Sequence, residues 1–205
     1  MNLHYKNKKC MYLRLFIFGA VLVASVYLLV SLFNHGFKPV HWSRALLYIC
    51  SVAMIGVLGE ISVDTAYRQF FPTPLWRYNF LPVNHAYTSM FAPVLWGAFG
   101  FYVYLVHHKY ERWTRQELVK LSVIFGLEAM ALEAVCDLVS KPILGNYIYY
   151  YYPSGLFHIS AFQNFPFYFI CGAIVIQTIH WFKAQPHYFT FISAWVTAVT
   201  VYLRY

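Results

Sequence analysis

Apolar residues run through this chain in long blocks separated by short polar or aromatic connections. Six blocks stand out, at 11–33, 45–67, 86–106, 118–140, 161–182 and 188–203. A helix needs about 20 such residues to cross a hydrocarbon core, and every block approaches that length, the last being the shortest. The pattern predicts an all-α fold: a polytopic membrane helical bundle of about six transmembrane helices, forming a single transmembrane domain over residues 1–205. The first block follows Lys6, Lys8 and Lys9 and has no A-x-A cleavage site just after it, so an uncleaved spanning helix is expected rather than a signal peptide.

The connections are of two kinds. Residues 34–44 and 107–117 are polar, basic and Trp-containing, as interfacial loops are. Residues 68–85 and 141–160 carry few charges and many Pro, Tyr, Trp and Phe. Within the second, the run from Tyr147 to Pro153 reads as an aromatic belt at headgroup depth. With six spans, eight Lys and Arg fall on one side of the membrane and seven on the other, which sets no orientation.

Composition agrees with lipid as the solvent. The chain is 60% hydrophobic and 11% charged, where a soluble domain is nearer a quarter charged. Its formal net charge is +8. The basic residues cluster between apolar blocks, a pattern that anchors a chain to anionic headgroups and excludes a nucleic-acid partner. The partners this implies are membrane lipids, and a partner membrane protein or a second copy of the chain. Cys10, Cys50, Cys136 and Cys171 form no C-x-x-C, and three lie in apolar blocks, where Cys acts as a small hydrophobe.

Shifting the chain by 73 positions without gaps brings scarce residues into register. Glu60 meets Glu133, Asp64 meets Asp137, and Arg68 meets Lys141. His85 meets His158, Pro93 meets Pro166, and His107 meets His180. This predicts a duplicated two-helix hairpin, with repeats at 45–107 and 118–180. Two spans per unit return the chain to its starting side, so the copies share one orientation.

The acids carry the chemistry. Of seven acidic residues, five lie in predicted spans: Glu60, Asp64, Glu128, Glu133 and Asp137. Each costs about 2.5–3.5 kcal/mol at the centre of a bilayer, so inward-facing positions with partners are expected. Glu60, Asp64 and Arg68 stand at i, i+4 and i+8 on one helix face, and Glu133, Asp137 and Lys141 repeat that spacing. Each stripe has one more acid than base. His85, His158 and Asn164 sit near the start of the following spans and are the candidates to complete a polar chamber. Three readings compete: interhelical glue, a binding or conduction site for a proton or cation, and acid–base catalysis on a lipid-soluble substrate.

A two-metal carboxylate site would want E-x-x-H on its helices, which is absent, so no metal is assigned. No nucleotide, dinucleotide, zinc-protease or serine-hydrolase signature occurs, and no cofactor is implied. His107, His108 and His180 read as interfacial. Gly97, Gly100 and Gly172 read as sites of close helix packing.

The stretch from Glu60 to Pro72, with its R-Q-F-F-P ending, and the run Glu133-Ala134-Val135-Cys136-Asp137-Leu138 carry a family likeness. Here the chain resembles small, uncharacterised multi-spanning membrane proteins of spore-forming bacteria, over roughly residues 45–182. The resemblance implies an integral protein of the bacterial cell membrane and brings no activity with it. The functional expectation is an intramembrane acidic and histidine chamber that binds or translocates a proton, a cation or a small cationic or amphipathic ligand. The alternatives are a membrane-embedded enzyme acting on a lipid or prenyl substrate, and a structural subunit of a larger membrane complex.

Overall fold

The computed structural model describes residues 2–107, 114–153 and 155–202. The side chain of His107, and residues His108, Lys109, Arg112 and Arg204, lie outside what is described. Six helices form, one from each apolar block: α1 (Asn2–Phe33), α2 (Trp42–Phe70), α3 (Ala92–His107), α4 (Arg115–Leu144), α5 (Phe165–Phe182) and α6 (Pro186–Tyr202). Among the described residues three regions are long and apolar enough to cross a membrane, at Met11–Phe33, Trp42–Phe70 and Phe162–Phe182. That corrects the expectation of six. α3 and α6 have only 16 and 17 residues, and α4, with 30, is interrupted by acids and lysines.

The all-α expectation is also corrected. The described residues include four short strands: β1 (Trp76–Tyr78), β2 (Pro82–Val83), β3 (Thr88–Ser89) and β4 (Tyr149–Tyr151). β1 pairs antiparallel with β4, placing Trp76 opposite Tyr151 and Tyr78 opposite Tyr149. β2 and β3 form a small hairpin. This hairpin is why α3 starts at Ala92 and not at residue 86.

Local chemistry sets the helix ends. Phe71 precedes Pro72, which pushes it out of the helical region to φ −128°, ψ 141°, and α2 stops there. α4 opens with a capping box in which the Glu117 carboxylate accepts from the Thr114 N–H at 2.5 Å and the Thr114 hydroxyl accepts from the Glu117 N–H at 3.3 Å. These bonds to the ionised form hold the Glu117 carboxyl below its ordinary value. Pro142 removes a helical N–H near the end of α4, and Gly145 closes the helix in the left-handed region at φ 82°.

α2 is the central helix and packs against α3, α5 and α6, while α4 packs on α5 and α1 lies across α3. Close approach of α2 and α3 depends on Gly100. A Cβ there would stand 2.7 Å from the Tyr48 carbonyl oxygen and 2.9 Å from Ile49 Cα, both backbone atoms with no room to give. Gly172 on α5 sits as closely against Phe125 of α4. The outward faces expose large apolar side chains, among them Leu13 and Phe16 on α1, Leu127 and Leu138 on α4, and Phe191 and Trp195 on α6.

Candidate functional site

Chain polarity brings the C-terminal parts of α2 and α4, each carrying a Glu and an Asp one turn apart, to the β1–β4 pair. In both halves the Asp holds the strand that follows its own helix. The Leu75 N–H donates to Asp64 Oδ1 at 2.6 Å, and the Ile148 N–H donates to Asp137 Oδ1 at 2.8 Å. Each donor comes eleven residues after its acid. The Tyr149 N–H adds a second bond to Asp137, at 3.2 Å. The strands then lock to each other, the Asn79 N–H donating to the Ile148 carbonyl at 2.8 Å and the Tyr152 N–H to the Leu75 carbonyl at 3.0 Å.

Strand alternation turns Trp76, Tyr78, Tyr149 and Tyr151 inward and Arg77 and Tyr150 outward. The run from Tyr147 to Pro153 is therefore corrected from a headgroup belt: its alternate tyrosines form the roof of a buried centre. Under that roof lie Glu60 and Glu133, which line the same two small cavities, of about 20 and 30 Å³. Tyr78 donates its hydroxyl to Glu60 Oε1 at 2.5 Å, and the Trp96 indole N–H donates to the same oxygen at 2.8 Å. Tyr151 donates to Glu133 Oε1 at 2.5 Å, Tyr168 donates to it as well, and the Ser160 hydroxyl donates to Oε2 at 3.0 Å. Asn164 braces the second set, its amide nitrogen donating to the Tyr151 oxygen at 2.5 Å.

Burial pushes the phenols of Tyr78, Tyr149 and Tyr151 well above their usual value. The facing carboxylates add to the shift, Glu60 most for Tyr78 and Glu133 most for Tyr149 and Tyr151. These tyrosines are neutral hydrogen-bond donors at any ordinary pH. Among the described residues Asp64 Oδ2, Asp137 Oδ2 and Asn164 Oδ1 are buried without a partner, while the buried Thr88 hydroxyl lies against the Glu60 carboxylate.

The other expected residues fall elsewhere. Arg68 is exposed and donates to the Tyr87 hydroxyl at 2.5 Å, and Lys141 donates to Tyr147 at 3.1 Å, so neither closes the ion pair that the i+4 spacing suggested. His85 is exposed and packs on Tyr87, with ring centroids 5.7 Å apart. The His158 ring stacks on Tyr150 at 4.7 Å, and its Nδ1 meets the Tyr151 carbonyl at 2.7 Å, which puts it outside the glutamate centre. The acids' partners are tyrosines, an indole and backbone N–H groups in place of the histidines and bases. Glu128 accepts from Tyr102 at 2.9 Å on a different face of α4, beside an apolar cleft between α1, α3 and α4. Among the described residues no three His, Cys, Asp or Glu side chains are grouped to hold a metal ion.

Matching geometry runs further than the ungapped shift. Tyr78 and Tyr151 each follow their glutamate by 18 residues. Beyond the strands the correspondence tightens by one position. Left-handed backbone occurs at Asn84, His85 and Ala86 and again at Leu156, Phe157 and His158. Past these turns, Trp96 and Tyr168 serve the two glutamates, and Gly100 and Gly172 each make a close helix contact. In the backbone geometry His158 occupies the place that Ala86 holds in the first turn. Three consecutive left-handed residues without glycine cost roughly 1–2 kcal/mol each, and the two turns deliver Thr88 and Ser160 to the glutamates.

No family model, no curated protein and no solved structure matches the chain. The class defined by the observations above is a mainly helical protein with three membrane-length apolar helices and a buried, tyrosine-roofed glutamate pair.

Proposed function

We propose that this is an integral membrane protein held in the bilayer by its three membrane-length apolar helices, and that the Glu60/Glu133 pair binds and passes on a proton or another small cation. Apolar side chains on the outer faces of α1, α4 and α6 support the membrane reading, because a water-exposed surface seldom carries contiguous apolar area on this scale. α4 fits it despite its acids, since Glu133 and Asp137 turn inward while Leu127, Val135 and Leu138 turn outward.

The observation that carries the reading is the meeting of two buried carboxyl groups whose hydrogen-bond partners are all neutral. Two negative charges facing each other in a low-dielectric interior require one compensating positive charge. Cavities of 20 and 30 Å³ have room for about a water molecule each. That scale favours a proton or a small cation over a lipid or prenyl substrate. The repeated Asp-held strands support a duplicated helix–strand–helix unit, with the paired strands closing one end of the bundle.

The test is proton flux into liposomes reconstituted with the full chain, followed by a pH-sensitive dye. Glu60→Gln and Glu133→Gln should each abolish flux while leaving folded yield unchanged. Wild-type liposomes no leakier than empty ones, together with a lowered melting temperature in both variants, would assign the acids to structural glue.

A further inference from the structure

A groove of about 690 Å³ runs along the outside of α1, between that helix and α3. Gly19, Ala20 and Ala24 line one side of it, and Phe91, Val94 and Phe101 line the other. Gly19 lies so close to Val94 that a Cβ there would stand 2.9 Å from it. Phe16 and Val23 also line the groove and are exposed, so it opens outward. From Leu15 to Tyr27 it follows α1 for about 18 Å at a helical rise of about 1.5 Å per residue. One leaflet of a hydrocarbon core is about 15 Å deep. Because Met11–Phe33 is a membrane-length apolar region, this face of α1 meets lipid.

One end of the groove is polar and firmly built. There the connection between α1 and α2 folds back onto α1 and α3. Tyr27 donates its hydroxyl to the Lys38 carbonyl at 3.0 Å, the Lys38 ammonium donates to the Leu105 carbonyl at 3.0 Å, and the His41 N–H donates to the Tyr104 hydroxyl at 2.9 Å. Val40 and Trp42 line the groove at this end. α2 begins at Trp42 with no side-chain cap from His41, which leaves the positive end of a 29-residue helix beside the groove. Arg44 is exposed in the same first turn. No acidic residue occurs in residues 1–59 or in α3, so the elements that form the groove carry only positive charge. An apolar groove about one leaflet long with a cationic end fits a hydrocarbon chain that ends in an anionic headgroup. A second copy, related by a two-fold axis along the membrane normal, would bring two such cationic ends together, and like charges oppose that pairing. We propose that the groove seats an acyl chain of one anionic phospholipid, with its phosphate at Lys38, Arg44 and the first turn of α2. The inference rests on the membrane reading and is independent of the glutamate pair.

Native mass spectrometry of the full chain in mild detergent tests it, with phosphatidylglycerol or phosphatidylcholine of identical acyl chains added. One phosphatidylglycerol should bind, roughly tenfold more tightly than phosphatidylcholine. Arg44→Gln should weaken phosphatidylglycerol about fivefold, the usual share of one basic residue at an anionic headgroup, and leave phosphatidylcholine unchanged. Ala24 lines the groove and is exposed, so Ala24→Phe fills the space without entering the core and should weaken binding roughly tenfold or more. Should that variant fail to fold, Ala20→Leu, at a second exposed position in the groove, reads the same loss. Equal binding of the two lipids, binding unchanged by filling the groove, or a dimer in place of a lipid adduct overturns the assignment. Alkaline carbonate extraction of isolated membranes separates the two ideas. A chain released into solution sinks the membrane reading and the groove with it, whereas a chain that stays in the membrane and binds no phosphatidylglycerol sinks the lipid seat alone.

Discussion

Asp64 and Asp137 act on the backbone much as a helix cap does, each accepting N–H groups from the strand that follows its helix. Arg68 acts on Asp64 through charge without a direct hydrogen bond. Asn at either position would set an NH₂ group or a weaker acceptor against a buried N–H. Asp64→Asn and Asp137→Asn should therefore each lower unfolding stability by about 1–3 kcal/mol, measured by denaturant or detergent unfolding. Equal losses from both would mean the two latches carry similar load, and an unchanged midpoint in either variant would show that its hydrogen bonds contribute nothing net. The i+4 spacing with Arg68 and Lys141 pointed to ion pairs, yet both long basic side chains are exposed and bond to tyrosine hydroxyls. Sequence spacing places a side chain on a helix face. Which of its reachable neighbours it chooses depends on what other elements bring there.

At the scale of elements, the helix contacts and the strand pair make separate predictions. Gly100→Ala would force α2 and α3 apart against backbone atoms, a form of overpacking that should cost about 1–3 kcal/mol. A thermal melt of the variant in detergent reads that cost, and an unshifted melting temperature would mean that the helices separate freely. The strands predict a pH dependence. Tyr78, Tyr149 and Tyr151 have phenols raised above the usual value of about 10 by burial. A folded-state pKa above the unfolded one gives stability that is intact below pH ~10 and is lost as pH rises beyond it. Ultraviolet titration should show these phenols ionising only together with unfolding, and Tyr78→Phe should shift the alkaline midpoint upward. Ionisation at pH ~10 without loss of structure would contradict the burial.

The whole molecule joins two similar halves at a single centre, so Glu60 and Glu133 should be coupled energetically. A double-mutant cycle with Glu60→Gln and Glu133→Gln should give an interaction energy of about 0.5–3 kcal/mol. Either substitution alone relieves the facing charge, and the second then gains less. Strict additivity would mean that the two sites titrate and fold as strangers. Six apolar blocks became six helices because a long apolar run has few other ways to satisfy its backbone away from water. The resemblance in spacing between the halves was also readable, since acids are scarce and their 73-residue offset survives in the hydrogen bonds of both aspartates. The spacing of 72 between the two left-handed turns was not readable, because positive φ at non-glycine residues leaves no mark on hydropathy.

The chain by itself determined the apolar helices, their approximate limits and the short list of acids that had to turn inward, because hydropathy and the cost of burying charge are local properties of sequence. Only the tertiary structure decided what those acids meet. Tyr78, Trp96, Tyr151, Ser160 and Tyr168 reach the glutamates from strands, a turn and the helices α3 and α5, 18 to 36 residues away. The inward direction of Tyr78 and Tyr151 follows from strand alternation, and the left-handed turns before Ser160, α3 and α5 set where the others arrive, which no hydrophobic period records. A hydrogen-bond donor is chosen by geometry across elements, and that geometry exists only once the two halves have come together.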